Sequence, residues 1–167
     1  MTTTQFADLG IDQDLVDALS ERGITTPFDI QALTIPDGLA GRDVCGKAKT
    51  GSGKTLAFGI PLIQRLSRGA PKRPTALALV PTRELAVQVC RELEPLAEVR
   101  GLRIEAIYGG TPIEKQIAAL GKGVDFVVAT PGRMIDLIQQ EELSVVDLVG
   151  VVIDEADRMA DMGFMPQ

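Results

Sequence analysis

Short apolar runs alternate with stretches of helical spacing along most of the chain. Thr75–Pro81 reads Thr-Ala-Leu-Ala-Leu-Val-Pro, a continuous apolar run closed by proline. Val124–Thr130 and Val149–Asp154 have the same character and are rich in β-branched residues. Such runs fit strands buried on both faces of a parallel sheet, where neither side of the pleat meets water. Asp43–Lys47 and Arg103–Tyr108 are weaker strand candidates. Between them, Thr55–Leu66 sets Leu56, Ile60, Ile63 and Leu66 on one helical stripe, and Glu84–Val99 does the same with Leu85, Val89, Leu93 and Leu96. Ile113–Leu120 and Met134–Ile138 complete the helices. This alternation predicts an α/β fold: a doubly wound, mostly parallel sheet with flanking helices and right-handed crossovers. Ligands of such a sheet bind outside the carboxyl ends of its strands.

Residues 1–40 read as an N-terminal extension ahead of a domain covering residues 41–167. Asp14–Glu21 has the pattern of a short helix, with Asp12 as N-cap and Gly23 as its stop. Thr26 is placed to cap a second helix with Pro27 at its first position.

Composition narrows the classes. With 45% hydrophobic and 24% charged residues, the 167-residue chain can bury one core of ordinary size. No apolar run nears the ~18 residues of a membrane span, and Met1–Asp8 has neither the basic nor the apolar part of a secretory signal. There is no histidine, and Cys45 and Cys90 are isolated, so metal-finger and disulfide frameworks have no support. Both thiols are expected as small buried apolar side chains in a reducing, cytoplasmic setting. The net charge of −6 argues against nucleic-acid binding by bulk electrostatics. Any such binding must use a local patch or backbone amides.

Two motifs carry chemistry by themselves. Ala48-Lys49-Thr50-Gly51-Ser52-Gly53-Lys54-Thr55 has the form of a phosphate-binding loop, with Ala48 where the general pattern has glycine. Gly51 and Gly53 allow the tight nest of amides, Lys54 brings a charge to the β- and γ-phosphates, and the Thr55 hydroxyl can ligate Mg²⁺. About a hundred residues later the apolar run Val151-Val152-Ile153 ends in Asp154-Glu155-Ala156-Asp157. Asp154 suits Mg²⁺, largely through water, and Glu155 is placed to polarise an attacking water.

Residues 154–157 spell the signature of the DEAD-box RNA helicases, and the chain resembles the first, RecA-like P-loop NTPase domain of that family, in a bacterial type. Other segments agree in order: Pro81-Thr82-Arg83-Glu84-Leu85-Ala86, Gly109-Gly110 and Thr130-Pro131-Gly132-Arg133 match its RNA-contacting motifs. Upstream, Phe6 and Gly23-Ile24-Thr25-Thr26-Pro27-Phe28-Asp29-Ile30-Gln31 look like its adenine-reading Q motif. The resemblance implies ATP and Mg²⁺ as cofactors, with Lys54, Asp154 and Glu155 in hydrolysis. It implies adenine recognition by Gln31, helped by Ile24 and Phe6, although Phe6 is equally a candidate core anchor. It implies sequence-independent contacts from Pro81, Thr82, Arg83, Gly109, Gly110, Thr130, Pro131, Gly132 and Arg133 to an RNA backbone, and a coupling role for Asp157.

Ile24, Phe28 and Ala160 depart from the family's usual residues; the first two predict modest nucleotide affinity. The family's first domain continues beyond this length into a strand ending Ser-Ala-Thr, then a second RecA-like domain. The expectation is therefore a partial helicase core, truncated before its last strands, that binds nucleotide with negligible turnover alone. A non-catalytic nucleotide-binding module and a DNA helicase or translocase on the same scaffold are the competing readings.

Overall fold

The structure, a computed structural model, describes residues 4–163; Met1–Thr3 and Phe164–Gln167 lie outside the described residues. It divides into two compact units, Met1–Arg65 with Glu92–Gly101, and Leu66–Arg91 with Leu102–Gln167.

In the first unit a 3₁₀ turn, Phe6–Leu9, precedes three helices: α1 (Gln13–Glu21), α2 (Asp29–Leu39) and α3 (Lys54–Arg65). α1 forms as its signals predict. Asp12 is its N-cap residue, and beyond it Gly23 takes a left-handed φ of 72° while the Ile24 amide returns to the Leu19 carbonyl at 2.9 Å. The Asp12 carboxylate does not cap the helix; it pairs with Arg100 at 2.6 Å, and Asp14 pairs with the same guanidinium at 2.8 Å. α2 starts two residues later than its Thr26-Pro27 signal, at Asp29 with Phe28 as N-cap. Gln31 explains the shift: its side-chain oxygen accepts the Phe28 amide at 2.8 Å and closes the first turn there. α2 and α3 approach closely where Gly38 faces Pro61, since a Cβ at Gly38 would stand 2.9 Å from the proline ring. Phe6, Leu15, Leu19, Ile35, Ile60, Leu93 and Leu96 fill this unit's core.

The second unit is built on a four-stranded parallel sheet in the order β2-β3-β1-β4. Its strands are β1 (Ala76–Leu79), β2 (Ile104–Ile107), β3 (Phe126–Ala129) and β4 (Gly150–Ile153). β3 and β1 are central, and their alternate residues are buried on both faces as the apolar runs predict. α5 (Ile113–Gly121) and α6 (Pro131–Gln139) cover one face through Leu120 and Leu137, which pack with Leu77, Ile107, Val127 and Ala129. α4 (Arg83–Val99) follows β1, and a short α7 (Ala156–Asp161) follows β4.

Three expectations need correction. Among the described residues β4 is flanked by β1 alone, so Val151 and Ile153 are 55% and 45% exposed and not buried on both faces. Asp43–Lys47 forms no strand; among the described residues it gains no ladder partner, and Val44 stays exposed. Cys45 is exposed with it and Cys90 is half-buried, so neither is a fully buried apolar side chain.

Asp125 locks the sheet's amino end. Its carboxylate accepts the Gly69 amide at 2.6 Å and the Arg103 amide at 2.7 Å, and its carbonyl accepts the Thr75 amide at 2.9 Å. The residue is buried, so removing the carboxylate leaves two amides unsatisfied. Asp125→Ala is expected to lower unfolding stability by about 2 kcal/mol or more. Urea denaturation checks this, and a loss within about 0.5 kcal/mol, the range of an ordinary surface change, would show that the buried carboxylate is not what holds the segment.

Candidate nucleotide loop and strand-end surface

The phosphate-loop residues lie in the first unit, between the end of α2 and the start of α3. Gly51 and Gly53 both hold φ of 81°, the left-handed region that a side chain resists. Lys54 opens α3 and folds back so that Nζ donates to the Ala48 carbonyl at 2.9 Å, tying the loop's first residue to its seventh. Lys49 and Thr50 are exposed, while Ser52 and Thr55 are half-buried. Among the described residues the buried Ser52 hydroxyl has no hydrogen-bond partner, which leaves a donor and an acceptor inside the loop.

Gln31 joins this loop to α2. Besides accepting the Phe28 amide, it donates from Nε2 to the Gly53 carbonyl at 3.0 Å, and the residue is 1% exposed. Both ends of the amide that the resemblance assigns to adenine recognition thus bond to the backbone here. Gly53 sits against the Gln31 and Phe28 side chains so closely that any Cβ would collide with both. Ile24 is half-buried, and Phe6, at 1% exposure, is a core residue of its unit.

These features fit a phosphate group: left-handed glycines, a lysine at the helix start, an unpartnered buried hydroxyl and the first-turn amides of α3. Among the described residues no group of three or more Asp, Glu or Cys side chains could hold a metal alone.

In the second unit the motif residues share one sheet edge. Leu79 pairs in register with Ala129 and with Ile153, and Ala129 with Ile107, so all four strands end at one level. Beyond that level lie Tyr108-Gly109-Gly110 after β2, Thr130–Arg133 after β3, Pro81–Arg83 after β1 and Asp154-Glu155 after β4. At ~4.8 Å between strands, the row spans about 14 Å. The strand-end amides continue the ladder by one step: Val80 donates to Ala129, Thr130 to Ile107 and Asp154 to Leu79.

Gly109, Gly110, Gly132 and Arg83 are exposed, Thr82 and Thr130 are half-buried, and Pro81 and Pro131 are buried. Pro131 starts α6, which leaves the amides of Gly132 and Arg133 in a first turn with no preceding carbonyl to take them. Arg133 is half-buried and turned into the protein, donating to Gln116 Oε1 at 3.0 Å and to the Thr111 carbonyl at 3.0 Å. The Arg83 guanidinium lies 5.8 Å from the centre of the Tyr108 ring.

Glu155 has φ 51° and ψ 47°, left-handed for a residue with a side chain, which costs about 1–3 kcal/mol. Its amide donates to Asp154 Oδ1 at 3.0 Å, and its carboxylate meets Arg158 at 3.2 Å. Asp157, in α7, is exposed. Strain such as that of Glu155 persists only where the surrounding structure over-determines a turn. The sequence reading passed over Gln116, Tyr108 and Thr111. A usable signal was present for the first, since Ile113, Gln116, Ile117 and Leu120 occupy one stripe of α5 and the polar member is buried.

Comparison with known proteins decides the family. The family model described as DEAD/DEAH box helicase matches residues 28–167. The chain belongs to the DEAD/DEAH box helicase family. It is 47% identical to the ATP-dependent RNA helicase DeaD of Escherichia coli, over 97% of this chain and 26% of that protein. It is 43% identical to RhlB of Erwinia tasmaniensis (99% of this chain, 40% of that one) and 44% to the pre-mRNA-processing helicase PRP5 of Mycosarcoma maydis (98% and 15%). The chain therefore spans well under half the length of these curated relatives. Among solved structures, a DEAD box protein from Methanococcus jannaschii superposes with a TM-score of 0.89 at 40% identity, over 96% of this chain and 44% of that one. The helicase Prp28 from Chaetomium thermophilum, bound to ADP, gives 0.88 at 41% identity, over 95% and 40%.

The two loop glycines should respond differently to alanine. A Cβ at Gly51 meets nothing within 4 Å, whereas at Gly53 it strikes Gln31 and Phe28. Gly51→Ala is expected to lower stability by about 1–2 kcal/mol through its backbone alone. Gly53→Ala should lower it further and weaken ADP binding by tenfold or more, about 1.4 kcal/mol. Thermal unfolding and isothermal titration with ADP measure both, and equal effects at the two positions would contradict the contact with Gln31.

Proposed function

We propose that the chain is the ATP-binding part of an ATP-dependent RNA helicase that couples ATP binding and hydrolysis to local opening of RNA duplexes. The observation that carries this reading is the common strand-end level of one parallel sheet, beyond which stand the segments of Pro81, Gly109, Thr130 and Asp154. The named relatives, all of which are ATP-dependent RNA helicases, support it.

In this proposal Gly51–Thr55 holds the phosphates through amides, and Lys54 neutralises charge on the β- and γ-phosphates. Gln31 selects adenine with the Nε2 hydrogen that Gly53 leaves over, Ile24 gives apolar cover and Phe6 supports them from the core. Thr55 and Asp154 are the residues that would hold Mg²⁺, Asp154 largely through water, and the ion would supply positive charge toward the phosphates. Glu155 accepts a hydrogen bond from the attacking water and draws off its proton as the new P–O bond forms. Asp157 couples hydrolysis to strand opening.

Hydroxyls and amides of Thr82, Gly109, Gly110, Thr130 and Gly132 hold RNA phosphates, with positive charge from Arg83 nearby. A narrow row of donors lets a chain of net charge −6 bind a backbone. A second RecA-like domain in cis completes the RNA groove and supplies the arginine that related phosphoryl transfers gain about 10³–10⁵ in rate from. The proposal places the protein in the cytoplasm and off the membrane; no helix among the described residues is long and apolar enough to cross one.

The 167-residue chain alone is expected to bind ADP and turn over ATP negligibly. In the longer protein, RNA should stimulate hydrolysis and Glu155→Gln should remove it while nucleotide still binds. A coupled ATPase assay with and without RNA checks this, alongside competition between RNA and DNA of one sequence. Turnover unaffected by Glu155→Gln would leave the chain a nucleotide-binding module, and equal affinity for DNA would remove the case for RNA.

A further inference from the structure

Gln116 lies on the stripe of α5 that otherwise carries Ile113, Ile117 and Leu120, and it is only 6% exposed. A buried primary amide must satisfy both ends or forfeit its hydration, so its partners define its role. Its Oε1 accepts from Arg133 at 3.0 Å, while its Nε2 donates to the Tyr108 carbonyl at 3.0 Å and to Thr111 Oγ1 at 3.1 Å. The other arm of the Arg133 fork donates to the Thr111 carbonyl at 3.0 Å. Tyr108 and Thr111 bracket Gly109-Gly110, and Gly110 holds φ of 80°. A loop whose two central residues are glycine has little conformational preference of its own. It is held from both ends by one amide and one guanidinium, and the Tyr108 ring is covered by Arg83.

We infer that Gln116 and Arg133 form a clamp that fixes the Tyr108–Thr111 loop. Gln116 is a positioning residue for the RNA-binding row, and Arg133 serves as a bidentate strut before it serves as a charge. The clamp ties the segment after β2 to the segment after β3, so the exposed amides of Gly109, Gly110 and Gly132 keep fixed spacing. A backbone held by several amides in a row needs that spacing set in advance, because ordering a free glycine loop on binding would be charged against affinity. The fork geometry is what lysine cannot reproduce: one ammonium has no planar pair of arms to reach a side-chain oxygen and a carbonyl together.

This inference rests on the reading of the strand-end row as an RNA surface, and two measurements on the ¹⁵N-labelled full chain separate them. Amide hydrogen exchange at Gly109 and Gly110, without RNA, reads the clamp. Chemical-shift titration with single-stranded oligouridylate reads the surface. Gln116→Leu removes no charge and should speed exchange at both glycines by at least about tenfold and weaken oligouridylate binding similarly, with the salt dependence of binding unchanged. Arg133→Lys keeps the charge and should do the same, and ADP affinity should hold in both variants. Gln116→Glu, which keeps the acceptor for Arg133 but loses the donor to Tyr108, should fall between wild type and Gln116→Leu. If Gln116→Leu does not fold, Arg133→Lys decides. Unchanged exchange at Gly109 and Gly110 in a folded variant would overturn the clamp, as would full oligouridylate affinity in Arg133→Lys. Wild-type protein that shows no shifts at Gly109, Gly110 and Gly132 would instead overturn the surface reading.

Discussion

The parallel register of four short strands is the constraint on which the candidate RNA surface depends. Ile107, Ala129, Leu79 and Ile153 stand next to one another in that order across the ladder, so whatever follows each strand emerges at the same height. Buried packing fixes that register. A one-residue slip of β3 would exchange Phe126 and Val128 with Val127 and Ala129, and all four are fully buried. The apolar interior therefore decides where exposed amides stand, although none of its atoms meets a ligand. Proline strengthens the effect by ending the strand run at Pro81 and starting α6 at Pro131.

Polar side chains then hold the loops that the register delivers. Gln116 and Arg133 brace the glycine pair after β2, and Gln31 plays a parallel part in the other unit, bridging the Phe28 amide and the Gly53 carbonyl. In each case a buried amide stabilises a glycine-rich segment that could not define its own shape. Strain completes the picture at Glu155, whose left-handed backbone is kept by the ladder bond from the Asp154 amide to Leu79 and by the start of α7.

Much of this was legible in the residues. The three apolar runs became β1, β3 and β4, the weak Arg103–Tyr108 run became β2, and the stripes of Thr55–Leu66, Glu84–Val99, Ile113–Leu120 and Met134–Ile138 became α3, α4, α5 and α6. What failed did so for non-local reasons. Among the described residues Asp43–Lys47 has the look of a strand but no neighbour to pair with, and β4 has β1 on one side alone, so both stay exposed where local pattern predicts burial. The start of α2 was misplaced because Gln31 was assigned wholly to a ligand, while its oxygen caps the helix. Arg133 was read as a charge because sequence shows residue type and not direction. Its inward fork appears only when α5 supplies Gln116 from seventeen residues away.

The central claim is that the strand-end row of the second unit meets an RNA backbone. Hydrogen–deuterium exchange of the full chain, with and without single-stranded oligouridylate, tests it most directly. The account predicts added protection in segments 81–86, 108–111 and 130–133, and unchanged exchange in the buried β3 residues 126–129. Protection confined to the exposed apolar residues 145–153, or none in the three strand-end segments while oligouridylate is bound, would contradict it.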